Sequence, residues 1–277
     1  MPRFTTSDGL SLFYRDEGEG LPLLCLAGLT RDGRDFDFVA PHLSGNRLIR
    51  LDYRGRGQSD WGPHETYQIP VEGRDALELL DHLGIAKAAV LGTSRGGLIA
   101  MVLAASARDR LLGVALNDIG PEIADAGLEV IKGYLGRKPP QKTLAEVAKR
   151  RQELLTGFVG VPESRWMEEA ERLFVQTDQG LDLTYDPKLR DAVLGGDVQP
   201  APVLWPLFDA LAGLPLCALR GENSDLLTRE CFEEMKRRRP DMVAVEVKGR
   251  GHIPFLDEPE SLEGLRKWLG MLRRDAP

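Results

Sequence analysis

Gly92-Thr93-Ser94-Arg95-Gly96 is the stretch of this chain best suited to covalent chemistry. An apolar run over residues 88–91 leads into it, and an apolar helical pattern over 98–105 follows. A serine caught between a strand and a helix sits on a tight turn with its hydroxyl in open space, the nucleophile-elbow pattern. Glycine is expected on either side, where a Cβ would strike the neighbouring strand and helix. A hydroxyl is a weak nucleophile until a base takes its proton, so Ser94 requires a histidine.

The chain has four histidines. His42 and His82 fall late in amphipathic helical patterns and His64 lies in a Pro/Gly-rich loop, which suits surface or loop roles. His252 is placed differently. It follows the last apolar strand, within Lys248-Gly249-Arg250-Gly251-His252-Ile253-Pro254, at the sheet edge from which Ser94 can be reached. The base in turn needs a carboxylate to hold its tautomer. The chain order Ser, Asp, His favours Asp225, in Leu219-Arg220-Gly221-Glu222-Asn223-Ser224-Asp225. Two alternatives remain: Asp118, which ends the strand over 112–116, and Glu222, which sits closer to its own strand and suits a local pairing.

These residues must be carried by elements that the pattern also predicts. Residues 4–6 and 10–14, split by Asp8-Gly9, read as an antiparallel hairpin. Residues 21–27 form a continuous apolar run, the mark of a strand buried on both faces. Further strands are expected at 47–52, 88–92, 112–116, 214–219 and 242–247, with helices at 35–43, 71–83, 98–107, 228–239 and 261–272. That alternation predicts an α/β protein: a mostly parallel central sheet with helices on both faces, and ligands at the carboxyl ends of the strands. From 121 to about 199 the alternation stops. Helical patterns at 143–158 and 163–176 and a possible small hairpin at 179–185 suggest an inserted, mainly helical cap. Gly120-Pro121 and Gln199-Pro200-Ala201-Pro202 punctuate its ends, giving core segments 1–120 and 201–277 around an insertion at 121–200.

Composition removes several function classes. A net charge of −7 disfavours nucleic acid as a partner, and the basic run Lys236-Arg237-Arg238-Arg239 suits a solvated helix end. Three cysteines without paired spacing predict no disulfide framework; Cys25 and Cys217 read as small buried hydrophobes. The chain begins with polar sequence rather than a leader, and its longest apolar helix is too short for a bilayer, so no membrane partner and a cytoplasmic location are expected. No His/Cys/carboxylate cluster has ligand spacing, and Gly18-Glu19-Gly20 precedes a strand rather than a helix. Neither a metal nor another cofactor is expected.

With these residues the chain resembles the capped α/β-hydrolase-fold enzymes over essentially its full length. Besides the elbow and Gly251-His252-Ile253-Pro254, it carries Asp52-Tyr53-Arg54-Gly55-Arg56-Gly57-Gln58-Ser59, similar to the Asp-x-Arg-Gly-x-Gly-x-Ser segment of esterases, enol-lactonases and carbon–carbon bond hydrolases. The resemblance implies an oxyanion hole built from the N–H groups of Leu29 and Arg95. One departure concerns that loop: Ala27-Gly28 stands where the family usually has His-Gly, leaving open what orients it. A serine nucleophile rather than an aspartate implies an acyl-enzyme and a small carboxylic ester or lactone as substrate. A carbon–carbon bond hydrolase of ring-cleavage diketones is an alternative, as is a ligand-binding receptor with little turnover. The Arg95 side chain has two readings: an ion pair with a core or cap carboxylate, or a partner for a substrate carboxylate at the pocket mouth. Tyr134, Phe158, Trp166 and Phe174 are expected to pack the cap.

Overall fold

The computed structural model describes residues 2–195 and 203–274. The hairpin is present: β1 (Arg3–Thr5) pairs antiparallel with β2 (Ser11–Glu17). Beyond it run β3 (Leu21–Leu26), β4 (Asn46–Leu51), α1 (Ile69–His82), β5 (Ala88–Thr93), α2 (Arg95–Ser106) and β6 (Leu111–Asn117). An inserted segment follows, with α3 (Asp125–Tyr134), α4 (Leu144–Leu154), α5 (Glu163–Leu173), the antiparallel pair β7 (Phe174–Thr177) and β8 (Gly180–Leu183), α6 (Leu189–Leu194) and α7 (Trp205–Asp209). The chain then returns to the sheet as β9 (Leu216–Gly221), α8 (Arg229–Arg238), β10 (Val243–Val247) and α9 (Pro259–Arg274).

The strand order is β1-β2-β4-β3-β5-β6-β9-β10, parallel from β4 to β10. β5 lies mid-sheet and is buried along its whole length, which is why it reads as an unbroken apolar run. One core cluster packs β5 against α1 and α2; a second packs the opposite face against α9 through Trp268, Leu265 and Leu269. The turn that follows β5 is thus fixed on both faces. All three cysteines are buried and unpaired. Burial pushes the thiols of Cys25 and Cys217 up to about 12 and that of Cys231 up to about 11.

Three expectations are corrected. Residues 35–43 do not form one helix but two short 3-10 turns, Gly33–Phe36 and Ala40–His42. Pro41 lacks the N–H that a continuous helix would use there. In the insertion, α5 ends at Leu173, and the residues expected to extend it become β7, facing β8. The Gln199-Pro200-Ala201-Pro202 punctuation lies outside the described residues. In the basic run, Lys236, Arg237 and Arg238 pair at the end of α8 with Glu233, Glu234 and Asp209. Arg239, expected to be solvated, is instead buried and donates to Asp241 and to the Leu211 and Leu214 carbonyls. Among the described residues no helix is long and apolar enough to cross a membrane.

Candidate active site

Ser94 occupies the turn between β5 and α2 with φ 49° and ψ −112°, a backbone conformation unusual for a residue with a side chain. The glycines around it permit the turn. A Cβ on Gly92 would sit 2.5 Å from the Gly96 backbone, and one on Gly96 would sit 2.0 Å from the carbonyl oxygen of Leu26. The Ser94 amide donates to the Asn117 carbonyl at the end of β6, so the turn is tied to the neighbouring strand.

His252 reaches the serine from the loop after β10. Its Nε2 lies 3.1 Å from Ser94 Oγ. The loop is braced by Asn117, whose amide donates to the Pro254 carbonyl, and by Glu258, which accepts from the Phe255 amide and from Arg250.

The carboxylate on the other ring nitrogen belongs to Asp118. Its Oδ2 lies 2.7 Å from His252 Nδ1. Fully buried and one residue past β6, Asp118 also accepts from the Gly221 amide through Oδ1 and from the Ser224 hydroxyl through Oδ2. A carboxylate so placed keeps the proton on Nδ1, which leaves Nε2 free to accept from the serine.

Asp225, favoured by chain order, is not in contact with His252. The β9 loop folds back through the Ser224 amide on the Gly221 carbonyl and spends its Ser224 hydroxyl on Asp118. The Asp225 side chain is left exposed, while its carbonyl accepts from Gly127 of the insertion. Glu222 pairs locally, accepting from the Gly249 amide. Two adjacent strand ends each offered an aspartate, and only the fold decides which one the histidine meets.

Leu29 and Arg95, the two expected oxyanion donors, lie on the backbone near Ser94. A Cβ on Gly28 would lie 4.0 Å from Ser94 Cβ, so the Gly28-Leu29 backbone passes close to the nucleophile. Among the described residues neither the Leu29 nor the Arg95 amide has a hydrogen-bond acceptor. In place of the missing imidazole, three groups hold this loop. The Tyr53 hydroxyl and the Gly96 amide both donate to the Ala27 carbonyl, and Arg56 Nε donates to the Leu29 carbonyl. Sequence reasoning missed Arg56, which occupies a variable position of its motif and gives no local signal.

The rest of that motif is scaffold. Asp52 accepts from the amides of Gly33 and Gln58, Arg54 makes a two-pronged pair with Asp75, and the Ser59 hydroxyl donates to the Asp52 carbonyl. Gly55 and Gly57 have positive φ, and their backbones pair with Asp186 and Thr184 of the insertion.

The Arg95 side chain takes the ion-pair role. Its Nε donates to Glu72 at 2.6 Å and its Nη2 to the Tyr67 carbonyl, so it is not turned to a pocket mouth. Arg56 lies 2.8 Å from the other oxygen of the same glutamate. Although burial pushes Glu72 up, the two guanidiniums hold it below the usual carboxylate range. Of the expected packing aromatics, Trp166 is buried against Phe158 and Phe255, whereas Tyr134 is exposed.

A sequence profile of the alpha/beta hydrolase family matches residues 23–264. The chain is 36% identical over 254 residues to a 3-hydroxybutyrate-oligomer hydrolase of Cupriavidus necator, covering 87% of this chain and 85% of that protein. It is 27% identical to a 2-(acetamidomethylene)succinate hydrolase of Mesorhizobium japonicum, covering 91% of this chain and 88% of that protein. The solved structure of an alpha/beta hydrolase from Novosphingobium aromaticivorans superposes with a TM-score of 0.89 at 38% identity, over 97% of both chains.

Proposed function

This chain belongs to the alpha/beta hydrolase family and is a hydrolase, and we propose that it cleaves small carboxylic esters through an acyl-enzyme on Ser94. The observation that carries the reading is the chain of contacts from Ser94 Oγ to His252 Nε2 at 3.1 Å and from His252 Nδ1 to Asp118 at 2.7 Å. Ser94 Oγ bonds to the ester carbonyl carbon as its proton passes to His252 Nε2. The carbonyl oxygen, now an oxyanion, accepts from the amides of Leu29 and Arg95. His252 returns the proton to the departing alcohol oxygen as the C–O bond breaks. A water then repeats the sequence to release the acid and restore the serine. The insertion acts as a cap over the strand ends.

The relative from Cupriavidus necator supports an ester between hydroxy-acid units as the substrate. The linear 3-hydroxybutyrate dimer is therefore the compound to try first, beside p-nitrophenyl butyrate. Hydrolysis lost in Ser94→Ala, with a phosphonate adduct located on Ser94 by mass spectrometry, is the expected result. An adduct on any other serine overturns the assignment. Asp118→Asn should lower kcat by up to about 10⁴-fold, and Asp225→Asn far less. The reverse order in folded proteins removes Asp118 from the mechanism.

A further inference from the structure

A second glutamate shared by two arginines lies beside the site, and one of its arginines is unfinished. Glu169, on α5, accepts from Arg31 Nη2 at 2.7 Å. Arg31 in turn holds both oxygens of Asp35 through Nε. Arg151, on α4, approaches the same Glu169 oxygen only to 3.8 Å, too far for a hydrogen bond. Its Nε is buried and has no hydrogen-bond partner among the described residues. Burial pulls Arg151 below the ordinary guanidinium range, and the neighbouring Arg31 cation adds to this against the pull of Glu169. Among the described residues no hydrogen bond engages the Arg151 guanidinium, and a guanidinium fork with its donors free can give a carboxylate two parallel N–H bonds.

Its position relates the fork to the reacting atoms. The position of a Cβ on Gly28 would be 3.4 Å from Arg31 Cγ and 4.0 Å from Ser94 Cβ, so Arg31 starts beside the nucleophile and ends at Glu169 and Arg151. Arg31, Asp35 and Glu169 also line a cleft with Thr93, Asn117 and Ile253, the chain neighbours of Ser94, Asp118 and His252.

We propose that Arg151, set by Glu169 and Arg31, is a carboxylate subsite that selects esters carrying a free acid group. The proposal rests on the ester-hydrolase reading and deepens it. An anion on Arg151 would lie beyond the far end of the Arg31 side chain, which begins beside Ser94.

The test uses the 3-hydroxybutyrate dimer and its methyl ester, and follows only cleavage of the internal ester that both share. The native protein should prefer the free acid, and in Arg151→Met the ratio of the two kcat/KM values should fall about 10- to 100-fold, the strength of a charged hydrogen bond. Arg151→Lys should recover part of that ratio. A ratio unchanged in Arg151→Met overturns the proposal. Calorimetric titration with glutarate asks the same question without turnover. Binding that weakens at least tenfold in Arg151→Met, at unchanged thermal midpoint, supports the subsite. Equal binding by both proteins refutes it. Should neither ester be hydrolysed, the ester reading falls, and glutarate alone still decides the subsite.

Discussion

Glu72 and Glu169 each face two arginines near Ser94, and the two clusters are built to opposite ends. Around Glu72 both guanidiniums are hydrogen-bonded. Arg95 divides its donors between the glutamate and the Tyr67 carbonyl, and Arg56 gives Nε and Nη1 to the Leu29 and Arg54 carbonyls. Arg56 Nη2, 2.8 Å from Glu72, makes an ion pair without a hydrogen bond among the described residues. That cluster sits between α1 and the start of α2 and, through Arg56, holds the Leu29 carbonyl. Around Glu169 the pairing runs between the core loop and the insertion, and it satisfies Arg31 while leaving Arg151 without a hydrogen bond among the described residues. Charge alone does not separate a structural arginine from a binding one. What separates them is whether the donors are already occupied.

The largest effect that would test this contrast is on stability. Glu72→Gln leaves two buried guanidiniums uncompensated and should cost about 3–5 kcal/mol in urea unfolding. Glu169→Gln should cost only about 1–2 kcal/mol, because Arg31 keeps Asp35 and Arg151 is already without a hydrogen-bonded partner. Equal losses would mean that the two clusters are alike. Next comes Arg56→Met, which frees the Leu29 carbonyl. A loop that loses its brace should lower kcat about tenfold with KM nearly constant, since the oxyanion exists only in the transition state. Steady-state rates on the neutral methyl ester measure it, and a change confined to KM would assign Arg56 to substrate binding instead.

Arg95→Met sharpens the comparison further. Glu72 retains Arg56, so the loss in urea unfolding should be about 1–3 kcal/mol, and rates on acidic and neutral esters should change by the same factor. A selective loss on the acidic ester would return Arg95 to the pocket mouth. The smallest effect is a pH dependence. Burial, aided by Glu169 and opposed by Arg31, pushes the Asp35 carboxyl up to about 6, above its unfolded value of 3.8. A raised carboxyl costs stability above pH 6, and that cost disappears as the pH falls through 6 toward 4. Asp35→Asn should therefore flatten the stability gained between pH 7 and 5 by about 1 kcal/mol, read from denaturant midpoints. A steeper rise in the variant would contradict that sign.

What the sequence revealed and withheld follows from range. The elbow is local: strand, glycine, serine, glycine and helix are consecutive, and the structure places them as the pattern requires. The β1–β2 hairpin and the histidine loop after β10 are equally short-range. The partner of His252 was not legible, because Asp118 and Asp225 lie in the loops that follow neighbouring parallel strands and the deciding contacts come from Gly221 and Ser224. The 3-10 turns after β3 were hidden because the apolar spacing was helical while Pro41 prevented a helix. Least legible were the arginine clusters. Arg31 and Glu169 are 138 positions apart, so no window of sequence contains the pair.

The three buried cysteines have a practical consequence. Thiolate is the form that alkylating dyes attack, and thiols held near 11 or 12 inside the core expose almost none of it at neutral pH. The native chain is therefore a blank for maleimide labelling, with no cysteine to remove first. Leu154 closes α4 three residues beyond Arg151 and is 58% exposed, so Leu154→Cys supplies a single reactive thiol. A polarity-sensitive fluorophore there would report an anion arriving at Arg151 in real time, with the unmodified protein as its dark control.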